Sequence, residues 1–105
     1  MTASDLLDPS SVAAALRDLA PDWSGSVEGL RRTVRFADFP TAVRFIDEIA
    51  AVSEERDHHP DLALSYDTVE ITLATHSAGG VTRRDVELAA EVDRVVAGLP
   101  RHDGD

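Results

Sequence analysis

Thr68-Val69-Glu70-Ile71-Thr72-Leu73-Ala74-Thr75 alternates polar and apolar side chains along most of its length. Successive side chains of an extended strand point to opposite faces, so Val69, Ile71 and Leu73 share one face and Glu70, Thr72 and Ala74 the other. One apolar and one mildly polar face is the pattern of an antiparallel sheet covered on a single side. Just upstream, Leu62 to Tyr66 reads as a partner strand, with Asp67 at the turn between them. This hairpin sets the fold class, and the segments around it show what covers it.

Upstream, Ala42, Phe45, Ile46, Ile49 and Ala50 recur at i, i+3, i+4, i+7 and i+8, the spacing of an amphipathic helix. Asp38 with Pro40 marks its start, since proline is tolerated in a first turn. Pro60 bounds its end, because the residue before a proline is pushed out of helical geometry. Gly25 and Gly29 are turn signals and Arg32 to Phe36 alternates, which predicts a hairpin over about residues 25–37. Ser10 or Ser11 is expected to cap a first helix reaching about Leu19, with Val12, Ala15, Leu16 and Leu19 on one face and Pro21 as its stop. Beyond Gly79-Gly80, Thr82-Arg83-Arg84-Asp85 resembles a capping box with Asp in place of Glu. It opens a last helix to about Leu99, with Ala89, Val92, Val96 and Leu99 inward.

The order is helix, two strands, helix, two strands, helix. The expected fold is α+β: two layers, a four-stranded antiparallel sheet with three helices on one face. Residues 1–105 make a single domain, with 1–8 and 101–105 expected as loose termini and His102 solvated in the last of these. The uncovered sheet face is expected to meet solvent, a ligand or a second subunit.

Composition excludes several classes. The formal net charge of −10 argues against nucleic acid, which calls for clustered basic residues. All ten basic residues are arginine. No apolar run approaches the roughly 18 residues of a membrane span, and the first residues lack the basic and apolar regions of a signal peptide. With no cysteine there are no disulfides and no thiolate zinc sites. A cytoplasmic location is the default expectation.

The chemistry gathers in Glu54-Glu55-Arg56-Asp57-His58-His59-Pro60 and, beyond the hairpin, in His76 and Asp85. His58 and His59 precede the third strand and His76 ends the fourth, so the hairpin permits all three to meet at one end of the sheet. Imidazole titrates near neutrality, which suits it to proton transfer or to metal ligation. Metal is the weaker reading: adjacent histidines in extended chain point apart, and no His-Glu-x-x-His is present. There is no Gly-x-Ser-x-Gly elbow for a nucleophile, and Gly79-Gly80 lacks the lysine and spacing of a phosphate loop. General acid/base work fits best, with Glu54 and Asp57 as groups able to orient an imidazole. Glu55 and Arg56 read as the solvated end of the helix.

The spacing Glu54-x-x-x-His58-His59-Pro60, five residues to Tyr66, nine to His76 and eight to Asp85 resembles the signature of the pterin-4a-carbinolamine dehydratases. Thr68 to His76 and Arg84-Asp85-Val86-Glu87-Leu88-Ala89 are similar to that family too, and Trp23, Phe36 and Asp38-Phe39 agree more loosely. The resemblance implies dehydration of 4a-hydroxytetrahydropterin to quinonoid dihydropterin, in the recycling of tetrahydropterin. It implies a catalytic set of His58, His59 and His76, in which His58 and His76 act at the 4a-hydroxyl and His59 mainly holds the substrate. Glu54, Asp57, Asp85 and Trp23 fall at substrate-binding positions. Asp85 has a competing role as the acid in the first turn of a helix. Neither metal nor organic cofactor is implied, the pterin being the substrate. The resemblance further implies a homodimer or homotetramer and a functional link to an aromatic amino acid hydroxylase; charge and hydropathy, as above, lead to the expectation of no nucleic acid and no membrane partner. It also carries an alternative, a dehydratase-like interaction or assembly factor with little or no activity. One departure stands out: Leu62 and Ala63 follow Pro60 where many members carry bulky aromatics.

Overall fold

The computed structural model describes residues 1–19 and 21–103. In chain order it holds helix α1 (Pro9–Leu19), strands β1 (Ser24–Ser26) and β2 (Gly29–Arg35), helix α2 (Phe39–Arg56), strands β3 (Asp61–Ser65) and β4 (Thr68–Leu73), and helix α3 (Arg83–Ala97). The expected α+β order is therefore the observed one. All strand pairs are antiparallel and the sheet runs β1-β2-β4-β3. The segment with the clearest alternation, β4, is thus paired on both sides.

Register explains the burial. Leu30 faces Leu73 and Val34 faces Val69 across β2 and β4, while Leu62 faces Ile71 across β3 and β4. Leu30, Val34, Val69, Ile71 and Leu73 are buried against Phe45 and Ile49 of α2, Leu88, Val92 and Val96 of α3, and Val12 of α1. Each such side chain removed from water contributes roughly 1.5–3 kcal/mol before entropy is charged against it. On the other face Arg31, Thr33, Arg35, Ala63 and Glu70 stand exposed.

Helix ends place the later chemistry. Asp38 caps α2, its Oδ1 accepting from Thr41 N at 2.9 Å. At the far end Asp57 takes the left-handed conformation (φ 51°, ψ 43°), and the Asp57 and His58 amides close the helix onto Glu54 O and Ser53 O. Thr82 caps α3 in the expected box with Asp85. The α1 cap differs from expectation: Asp8, not Ser10 or Ser11, accepts from Ser11 N at 2.8 Å. A carboxylate one turn back outcompetes the hydroxyls.

The termini also depart from expectation. Ala3–Asp5 form a 3-10 turn, Leu6 bridges Thr82, and Leu7 N donates to Val81 O at 3.0 Å. Arg101 bridges Phe36, and His102, half-buried, donates its amide to Arg35 O at 3.0 Å. Main-chain pairing along exposed backbone holds what side-chain pattern alone left unassigned. Residues 104 and 105 of the expected tail lie outside the described residues. Among those described, no helix is long and apolar enough to cross a membrane.

Candidate active site

The open end of the β3–β4 hairpin meets the C-terminus of α2 and the N-terminus of α3. There Asp57, His58, His59, Ala74, Thr75, His76 and Arg84 line a cleft of about 330 Å³, with Met1 and Ser77 at its edge. The three histidines read from the sequence therefore share one cleft. Glu54 reaches it through His59.

Their surroundings differ sharply. His58 is buried, and its Nε2 lies 2.6 Å from Oδ1 of Asp85. Asp85 is 0% exposed, and its Oδ2 accepts from Thr75 Oγ1 at 2.7 Å and from Thr82 N at 2.9 Å. All three partners can donate, which is the pattern a carboxylate demands. That network assigns the proton of a neutral His58 to Nε2 and leaves Nδ1, which has no partner among the described residues, as the nitrogen available to a ligand. His59 is more than half exposed and pairs through Nε2 with Oε2 of Glu54, five residues upstream in the last turn of α2. His76 is 77% exposed, with Nε2 3.7 Å from Oδ2 of Asp61. That distance is an ion-pair contact beyond hydrogen-bond length.

Each histidine thus has its own carboxylate, and among the described residues no three His, Asp or Glu side chains are grouped as ligands of a single ion would be. What the arrangement can do is move protons. A buried imidazole backed by a carboxylate is oriented and its imidazolium stabilised, while two solvent-facing imidazoles stand within the same cleft.

Two expected binding residues do not line the cleft. Trp23 is buried at 3% exposure in the core, its Nε1 donating to Asp93 Oδ1 at 2.7 Å, and it does not line this cleft. An indole is large enough that the core takes it whenever its N–H finds an acceptor. Asp85 is buried with both oxygens engaged, so it meets His58 and no ligand directly. Asp57, expected to orient an imidazole, makes no side-chain hydrogen bond among the described residues, and Asp85 has that task instead.

Sequence reasoning passed over Thr75, Asp61 and Arg84. Thr75 continues the inward parity of Val69, Ile71 and Leu73, so a polar side chain there signals a buried partner. Asp61 opens β3 in register with Thr72. Arg84 donates through one terminal nitrogen to Arg56 O at 2.6 Å and Asp57 O at 3.0 Å, and main-chain partners leave no mark in a sequence.

A larger concavity of about 620 Å³ lies at the other end of the sheet, between β2 and Pro100–Asp103. Its Arg32 is already held by Asp93 and Asp22, and its Arg35 by Asp67. Those internal pairs make it a structural cluster rather than a reacting centre.

Residues 5–95 match the profile of the family described as pterin 4 alpha carbinolamine dehydratase. Two proteins named for that activity are similar over nearly their whole length. The Nocardia farcinica protein is 44% identical over 92 residues, covering 88% of this chain and 96% of its own. The Bradyrhizobium protein is 44% identical over 95 residues, covering 89% and 94%. Among solved structures, a transcriptional coactivator/pterin dehydratase from Brucella melitensis superposes with a TM-score of 0.80 at 37% identity, covering 85% of this chain and 96% of that one. A pterin dehydratase-like protein identified as a RuBisCO assembly factor in the alpha-carboxysome superposes at 0.61 with 26% identity, covering 73% and 92%.

Proposed function

The chain belongs to the pterin-4a-carbinolamine dehydratase family, and from that premise we propose that it converts 4a-hydroxytetrahydropterin to quinonoid dihydropterin and water. The observation that carries the reading is the meeting of His58, His59 and His76 in one cleft, with His58 held against buried Asp85. In the reaction the C4a–O bond breaks, the departing hydroxyl takes a proton and leaves as water, and N5 gives up its proton. His58 and His76 serve as the acid/base pair at the 4a-hydroxyl. His58 works through Nδ1 while Asp85, on its other nitrogen, steadies the charged ring. His59, paired with Glu54 at the rim, and Asp57 hold the substrate. The reading needs no metal and no organic cofactor, because no electron changes hands and the pterin is the substrate.

The protein works, on this reading, as a homodimer or homotetramer in a cell that also runs an aromatic amino acid hydroxylase. Edge strand β3 supports self-association, since one side of it is unpaired among the described residues and Leu64 is exposed on it. Stopped-flow measurement of 4a-hydroxytetrahydropterin dehydration tests the proposal. The wild type is expected to accelerate the reaction at micromolar enzyme; a rate no faster than the spontaneous one ends it.

A second reading, an interaction or assembly factor with little activity, draws on exposed Phe39, Leu64 and Tyr66. Partner binding that survives loss of all three histidines in a chain with only the spontaneous rate would favour it.

A further inference from the structure

Arg84 lines the histidine cleft, yet it makes no ion pair among the described residues. In a chain with 20 acidic residues and ten arginines, it gives one terminal nitrogen to two main-chain carbonyls, Arg56 O and Asp57 O. Those carbonyls belong to the C-terminal end of α2, where the last C=O groups lack helical partners and the dipole favours a cation. Helix capping alone would account for the contact with Arg56. The second contact also meets a helix-end carbonyl, and there it bears on the next residue as well.

Asp57 O belongs to the peptide plane that joins Asp57 to His58. Asp57 is one of two described non-glycine residues with positive φ, the other being Tyr66, and its left-handed turn at the helix end sets the direction in which the chain leaves α2. The direction of that plane decides whether the His58 ring turns inward. Arg84 sits one residue before Asp85, as Asp57 sits one residue before His58. The Arg84–Asp57 contact and the His58–Asp85 contact are therefore adjacent rungs between the end of α2 and the start of α3.

We infer that Arg84 is a positioning residue that fixes the Asp57–His58 peptide plane and thereby holds the His58 ring on Asp85 with Nδ1 toward the cleft. The kinetic arm of its test rests on the dehydratase function; the spectroscopic arm does not. A displacement of a reacting group by about 1 Å can cost 10²-fold in rate. Arg84→Ala is therefore expected to lower kcat by about 10–100-fold while KM stays within about threefold. In ring ¹⁵N spectra, His58 is expected to change from a single Nε2–H tautomer to a mixture of the two. Arg84→Lys, which keeps a cationic donor at shorter reach, is expected to recover part of both signals. Arg83→Ala, whose side chain is exposed and pairs with Glu87 alone among the described residues, is expected to leave both unchanged.

The inference is overturned if Arg84→Ala keeps wild-type turnover and a single tautomer, or if turnover collapses while the tautomer stays single. Where Arg84→Ala fails to fold, Arg84→Gln carries the same two readouts. A wild type with no dehydratase activity removes the proposed function, yet the tautomer comparison still decides the role of Arg84.

Discussion

A buried aspartate stands near each end of β4, Asp67 in the turn before it and Asp85 in the first turn of α3, and the two differ in what faces them. At the turn end Asp67 accepts from Arg35 Nε at 3.1 Å and from Thr68 Oγ1 at 3.0 Å. At the open end Asp85 meets His58 at 2.6 Å and accepts from Thr75 and Thr82. Burial raises the Asp67 carboxyl, but the Arg35 and Thr68 hydrogen bonds and the arginine charge outweigh it and hold the group below its ordinary value. An arginine keeps its proton at any accessible pH, so that end can only brace the fold. A histidine can both take up and release a proton, so on the proposed reading the same kind of carboxylate belongs to the proton-moving site. The partner, more than the acid, decides which end can react.

The largest test of that contrast removes the titratable partner. His58→Ala is expected to lower kcat/KM for dehydration by about 10³-fold, within the range for a positioned general acid or base. It also leaves a buried Asp85 oxygen unpaired, at a cost of about 1–3 kcal/mol in urea unfolding. Full activity in this variant would place the chemistry elsewhere. Asp85→Asn, set beside Asp67→Asn, is the paired test. The first is expected to lose about 100-fold in kcat through an ill-held ring, and the second to stay within about twofold. Equal losses would erase the distinction between the two ends.

Effects at the rim are smaller. His76→Ala is expected to cost about 10–100-fold in kcat. His59→Ala is expected to raise KM by about tenfold with kcat little changed, as befits uniform binding. Should His59→Ala prove the more damaging to kcat, their roles are reversed. Asp61→Asn breaks only an exposed pair and is expected to change turnover by about twofold or less.

Acid titration gives the smallest effect. Asp67 has a depressed folded-state pKa, so it adds stability above its unfolded value of 3.8 and loses it as pH falls further, through the folded value. Asp67→Asn is expected to be less stable than wild type in urea at pH 7, with the gap narrowing below pH 3.8. A gap that widens on acidification would show that the Arg35 pair does not stabilise the fold.

Periodicity carried the fold because period-2 and period-3.6 patterns report burial directly, as β4 and α2 show. The three histidines were legible through spacing, since a hairpin returns the chain to the point it left. The pairing of His58 with Asp85 was not. It depends on how α2 and α3 cross, and no local pattern encodes a crossing. Trp23 shows the converse. The family resemblance put it at a substrate-binding position, but Asp93, 70 residues away in the chain, accepts its N–H inside the core. Thr75 was within reach of parity alone.

The pairing of Leu6 and Leu7 with Thr82 and Val81 sets a practical rule for handling the protein. It brings Met1 to the edge of the histidine cleft, its Sδ 3.8 Å from Thr82 Oγ1. Any affinity tag joined ahead of Met1 therefore emerges at the mouth of the histidine cleft. The described chain ends with Asp103 at the turn end of the hairpin, where His102 is fastened to Arg35. Purification handles belong at that second end, and a rate measured with the first measures the handle as well.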